Sequence, residues 1–233
     1  MCIRDRIKNL NENRPPFYEP ELVDYLNDSN IRNNLFFSTS YQKSINENTD
    51  IVFVCVQTPT DPDTGKTKTD YISSVLTELK KIESFNFIIC IKSTIKATLV
   101  EKISNEIDLD YKKIIFNPEF LREGSAFYDF FNPDRIVIGG SDQKGLNQCT
   151  ELYESFDCEK IITDSNSSQM IKYLSNTYLA MRLSFVNETY RLVSEFNGNP
   201  EEVLNAIGKD KRIGNDYFRP SPGSVSYTHL TLP

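Results

Sequence analysis

Several common signposts are missing. The 233 residues contain no Trp, one His, three Met and nine Gly. No Gly-x-Gly-x-x-Gly turn occurs, so the usual backbone cradle for a pyrophosphate is not encoded. No apolar stretch approaches the ~20 residues of a membrane helix, and no leader with an apolar core is visible, so a membrane partner is not expected. Basic clusters are scarce too: 26 Lys and Arg against 33 Asp and Glu leave a formal charge of −7 and a pI near 4.9. A nucleic-acid surface would need Lys and Arg gathered on one side, so an anionic ligand must be held by local groups. Five cysteines (Cys2, Cys55, Cys90, Cys149, Cys158) are an odd number without metal-ligand spacing. Cys55 and Cys90 sit in apolar strand-like runs, so the set is expected to be buried free thiols of a reducing cytoplasm, with no metal.

What the chain has is apolar patterning. Its 39% hydrophobic content suffices for one well-buried domain and part of another. Ile7–Leu10 reads as the tail of a helix, Arg14–Pro20 as an extended loop, Glu21–Leu26 as a short helix, and Leu35–Ser38 as a short strand followed by a helix over Tyr41–Asn46. Asp50–Val56 is a β-branched apolar run that reads as a parallel strand covered on both faces. Helical periodicity follows over Tyr71–Ile82, a second buried strand over Phe87–Ile95, and a helix over Lys96–Ile107. Ile114–Phe116, Arg135–Ile138 and Cys158–Ile162 complete the strands, with a helix over 145–156 between the last two. Alternation of strand and helix predicts an α/β fold, an incomplete doubly wound parallel sheet.

Beyond Asp164 and Ser165, which supply cap chemistry, Ile171, Leu174, Tyr178, Met181 and Phe185 recur at spacings of three and four. They predict one long amphipathic helix to about Phe196 with that stripe toward the core. Asn197–Pro200 stops it, and Glu201–Ile207 starts another helix. The segments 1–6 and 224–233, the latter holding His229, break the patterns beside them and look like foreign linker sequence. Between them, 7–164 reads as a partial α/β domain and 165–223 as the long helix with the start of a helical domain, so that the chain reads as an internal fragment.

The richest stretch is Ile114–Gly124. An apolar strand ends in Asn117-Pro118, Pro118 biases Asn117 to extended geometry, and Glu119-Phe120-Leu121-Arg122-Glu123 can form a helical turn with Glu119 and Glu123 on one face. Two acids on one face suit acid–base work, and equally suit a solvated helix start near a favourable dipole end. The carboxyl ends of the two preceding strands, Val56-Gln57-Thr58-Pro59 and Ser93-Thr94, are where an open α/β sheet places ligands, although Thr-Pro is also ordinary turn chemistry and Thr94 an ordinary cap. Lys172 and Asn176 lie at i and i+4 beside the apolar stripe, a pattern that a snorkelling Lys also gives.

The gapless run Asn117–Gly139, with Pro133-Asp134-Arg135-Ile136-Val137-Ile138-Gly139 at its end, resembles the signature of the nucleotide-sugar 6-dehydrogenases, the UDP-glucose/GDP-mannose dehydrogenase family. Met170–Ala180 resembles that family's helix with its substrate-binding Lys and Asn, and Arg212-Ile213-Gly214 its Arg-Ile-Gly. This resemblance implies a Rossmann-like NAD-binding domain and an all-α dimerisation domain built on the long helix. It also implies two NAD-dependent oxidations of a sugar alcohol through a Cys thioester, and a homodimer. Residue by residue it implies a catalytic set of Thr94, Glu119, Lys172 and Asn176. Glu119 activates a water with Thr94 assisting, and Lys172 and Asn176 stabilise an oxyanion. The substrate contacts it implies are Glu119, Phe120, Leu121, Arg122, Glu123, Lys172, Asn176, Arg212, Ser221 and Gly223. Its cofactor contacts are Val56, Gln57, Thr58, Pro59, Thr94 and Glu123. The arginine motifs look more like the UDP-glucose members than the GDP-mannose members, and a non-catalytic dimerisation module is the other class. Two departures stand out: the family's Gly-rich turn is absent, and Thr228 stands where its catalytic Cys is expected. The chain alone is therefore expected to bind NAD weakly and to turn nothing over.

Overall fold

The computed structural model describes residues 3–82, 86–122, 124–216 and 218–220. The chain divides into two compact units, Met1–Lys172 and Tyr173–Pro233. In the first, α1 (Ile3–Asn11), α2 (Leu22–Asn27), α3 (Ser29–Arg32) and α4 (Tyr41–Ser44) precede β1 (Ile51–Val54), α5 (Asp70–Lys80) and β2 (Ile88–Ile91). Next come α6 (Ala97–Glu106), β3 (Ile114–Phe116), α7 (Ala126–Phe131), β4 (Arg135–Gly139), α8 (Gln143–Glu151) and β5 (Glu159–Thr163). The long α9 (Ser165–Glu195) begins in the first unit and runs into the second, which also holds α10 (Pro200–Ile207).

Alternate strand residues point to opposite faces, and both faces are filled. On one, Ile89, Ile91, Ile114 and Phe116 pack with Ile72, Leu76 and Leu79 of α5 and Val100 and Ile103 of α6. On the other, Ile88, Cys90 and Ile115 pack with Ile136, Ile138, and Leu146 and Cys149 of α8. Every residue of β2 and β3 is buried, as befits central strands covered twice. β1, the edge strand, departs from the doubly covered reading, since Phe53 is 39% exposed.

The sheet runs in the order β1-β2-β3-β4-β5, with β1, β2 and β3 mutually parallel. It is not wholly parallel as the sequence suggests: β4 pairs antiparallel to β3 at Phe116 and Gly139, and β5 follows β4 in parallel. The physical reason is local. The segment after Phe116 stays extended alongside β4, where Asn117 donates its side-chain amide to the Val137 carbonyl at 2.8 Å. That pairing brings the start of α9 to the carboxyl end of β3, because Asp164 follows β5 directly and its carboxylate caps the helix by accepting from the Ser167 amide at 2.9 Å.

Three further expectations are corrected. Leu35–Ser38 is not a strand; it has no ladder partner among the described residues, and an extended run without one does not become sheet. The α9 stripe is not core-facing: Leu174, Tyr178, Met181 and Phe185 are 60, 55, 56 and 56% exposed. Periodicity identifies an apolar face and says nothing of what covers it. The described thiols are free, as expected, but Cys55, just past β1, is exposed rather than buried, while Cys90 and Cys149 are buried. Cys2 lies outside the described residues.

Candidate active site

The site forms where β2 and β3 end and α9 begins, all within the first unit. Glu119 leaves β3 with its side chain 37% exposed, one carboxylate oxygen 3.4 Å from Lys172 Nζ. Its other oxygen accepts the Leu121 amide at 2.7 Å. The Lys172 side chain is only 7% exposed and lies 5.2 Å from the centre of the Phe120 ring, over which the Arg135 guanidinium also sits at 4.3 Å. A buried ammonium requires a partner, and a carboxylate with an aromatic face supplies one. One turn earlier on α9, the buried Gln169 accepts the Ile95 amide at 3.2 Å through Oε1. That bond ties the helix to the end of β2.

The helical turn expected over Glu119–Glu123 is absent: residues 119–122 are irregular, and helix starts only at Ala126. Side chains have taken the backbone donors that a helix would use. Glu119 captures Leu121 N–H, and Asp129 captures Arg122 N–H at 2.9 Å. Arg122 also forks onto Asp129 through Nε and Nη2 at 2.9 and 2.6 Å. The guanidinium holds the Asp129 carboxyl below the usual carboxylate range. Glu123, Ser221 and Gly223 lie outside the described residues.

The strand-end loop is knit together rather than open. Thr58 Oγ1 donates to the Thr94 carbonyl at 2.8 Å, and Ser93 Oγ donates to the Val56 carbonyl at 2.6 Å. Thr94 is half-buried and is not the cap of α6, a position that Lys96 occupies. Gln57 is exposed and Pro59 half-buried. In the second unit, Asn176 is exposed, and Arg212 pairs with Asp210 at 2.6 Å. The structure thus brings Glu119, Phe120 and Lys172 together and places Thr94, Thr58 and Val56 on the ends of β1 and β2.

Sequence reasoning overlooked the polar support under this site. Lys92 Nζ donates to Asn117 Oδ1 at 3.0 Å, and the Tyr153 hydroxyl donates to the same oxygen at 2.6 Å. Lys92 does leave a trace, as a Lys that directly follows four buried apolar residues. Tyr153 leaves none, because its partner is 36 residues away.

With this geometry established, the relatives are informative. Residues 3–157 match the UDP-glucose/GDP-mannose dehydrogenase family, NAD binding domain, and residues 166–226 match the same family's central domain. A UDP-glucose 6-dehydrogenase of Bacillus subtilis is 33% identical over 226 residues, covering 94% of this chain and 50% of the relative. One of Gallus gallus is 36% identical over 233 residues, covering 94% and 47%. A UDP-glucose dehydrogenase structure from Pyrobaculum islandicum superimposes with a TM-score of 0.85 at 32% identity, covering 94% of this chain and 52% of that one. A ternary complex of GDP-mannose dehydrogenase from Pseudomonas aeruginosa gives 0.82 at 26% identity, covering 93% and 52%. The chain spans about half the length of the curated relatives it matches. The mostly parallel five-stranded sheet, the long helix and the family matches across both segments agree, and the chain belongs to the UDP-glucose/GDP-mannose dehydrogenase family.

Proposed function

We propose that this chain forms the active-site half of an NAD-dependent dehydrogenase that converts UDP-glucose to UDP-glucuronate by two successive oxidations. The observation that carries the proposal is the 3.4 Å approach of the buried Lys172 amine to Glu119. In this reading Glu119 takes the proton of the water that attacks the oxidised sugar carbon, with Thr94 assisting. The fixed charge of Lys172 stabilises the oxyanion that develops there. Phe120, Leu121 and Arg122 border the sugar, and Asn176 and Arg212 are assigned to the substrate by family resemblance alone. A UDP sugar is favoured because the Bacillus and Gallus relatives bear that name.

NAD would accept the hydride when bound, with Val56, Gln57, Thr58, Pro59 and Thr94 along its edge. The residues present do not make a pyrophosphate cradle. No Gly-x-Gly-x-x-Gly turn exists in the sequence, and the Thr58 and Ser93 hydroxyls are spent on backbone carbonyls. The chemistry assigned to this chain is therefore proton transfer and charge stabilisation. The exposed apolar stripe of α9 supports a homodimer. No described helix is long and apolar enough to cross a membrane. The described thiols are free, which supports a cytoplasmic setting.

The test is NADH absorbance from a protein extended by its flanking sequence to the relatives' length, supplied with NAD and either UDP-glucose or GDP-mannose. Production with UDP-glucose is expected. Production with GDP-mannose alone, or with neither, contradicts the proposal.

A further inference from the structure

The amide of Asn117 is a hub where three parts of the fold meet. Lys92, one residue past β2, and Tyr153, just beyond α8, both donate to its oxygen, while its nitrogen donates to Val137 of β4. Asn117 is 2% exposed and stands two residues before Glu119. Burying a lysine is costly, and a neutral amide oxygen repays only part of that cost. The groups facing Lys92 are the thiols of Cys90, Cys55 and Cys149, the Glu119 carboxylate and the Phe53 ring, 5.8 Å from its Nζ. Glu119 is the one carboxylate among them.

We infer that Lys92 is a positioning residue for the proposed site: through Asn117 it fixes the turn that presents Glu119, with its charge coupled to that carboxylate. Lys172 reaches Glu119 directly from α9 at 3.4 Å, whereas Lys92, just past β2, reaches the same turn through the Asn117 oxygen at 3.0 Å. Burial pushes the Lys92 amine below the ordinary lysine value, and Cys90, Cys55 and then Glu119 act in the opposite direction. The inference rests on the reading of Glu119 as the working carboxylate, but its test does not depend on turnover.

The 233-residue chain is labelled with 13C at lysine Cε and 15N at backbone amides, and Lys92 is titrated by NMR in wild type and Glu119→Gln. Removing the carboxylate is expected to lower the Lys92 midpoint. The Leu121 amide, which donates to Glu119, reports the turn itself. Its signal is expected to move in Lys92→Met, and to move less in Tyr153→Phe, which deletes a hydrogen bond to Asn117 without deleting charge. An unchanged Lys92 midpoint in Glu119→Gln overturns the inference, and so does an unchanged Leu121 amide in a folded Lys92→Met. Glu119 is partly exposed, so Glu119→Gln is expected to fold even where Lys92→Met does not, and the first measurement then decides. Coupling without turnover in the extended protein would retain the positioning role and refute the dehydrogenase reading.

Discussion

At the scale of single residues, the Lys172–Glu119 pair separates stability from function. A buried ion pair is weak evidence for stability, since desolvation offsets much of its Coulomb attraction. Replacing Lys172 by Met keeps the volume and removes the buried charge, and Glu119 retains access to water. Lys172→Met is therefore expected to unfold in urea within about 1 kcal/mol of wild type. A much larger loss would mean that the amine serves the fold. Asp129 behaves differently. Its carboxyl is held low mainly by the Arg122 hydrogen bonds, so its contribution is complete above the unfolded-state value near ~3.9 and is lost as pH falls through the lower folded value. Asp129→Asn should make the acid limb of stability shallower than in wild type below about pH 4, as followed by circular dichroism. Glu119 and Lys172 were legible because each sits in a long stretch of family-like sequence. The Lys92–Asn117–Tyr153 hub was not, because its members lie on three elements and meet only when the sheet forms.

At the scale of elements, the strands were legible from runs of β-branched residues and the helices from their stops. Asn199 before Pro200 marks the start of α10, and its side chain accepts the Glu201 and Glu202 amides at 3.1 and 3.5 Å. Asn199→Ala is expected to cost about 1 kcal/mol by thermal or urea unfolding, and an unchanged midpoint would deny the cap its role. The junction of β4 and α9 was not legible. A Cβ on Gly139 would stand 2.6 Å from the Asp164 carbonyl and 2.3 Å from Ser168 Oγ. Gly139→Ala should therefore destabilise by roughly 1–3 kcal/mol or more through overpacking. A tolerated alanine would show that α9 stands off the sheet. Leu35–Ser38 failed as a strand for a related reason: propensity proposes an extended run, and only a neighbouring edge turns it into a ladder.

For the molecule as a whole, the α/β class and the two covered faces of the sheet followed from pattern, whereas the reversal at β4 did not. Pattern registers which residues are apolar, and strand direction is set by where the chain after Phe116 finds hydrogen-bond partners. The long helix illustrates the same limit. Its stripe was visible, yet Leu174, Tyr178, Met181 and Phe185 are exposed. The proposed homodimer predicts concentration-dependent association in sedimentation velocity, abolished by Met181→Lys with Phe185→Glu, and a protein that stays monomeric at all concentrations would refute it. The central claim is that Glu119 and Lys172 work as one site. The most direct measurement is NADH formation from UDP-glucose by the extended protein, comparing wild type with folded Lys172→Met. A loss of about 100-fold or more in turnover is predicted, and turnover near the wild-type rate would contradict the account.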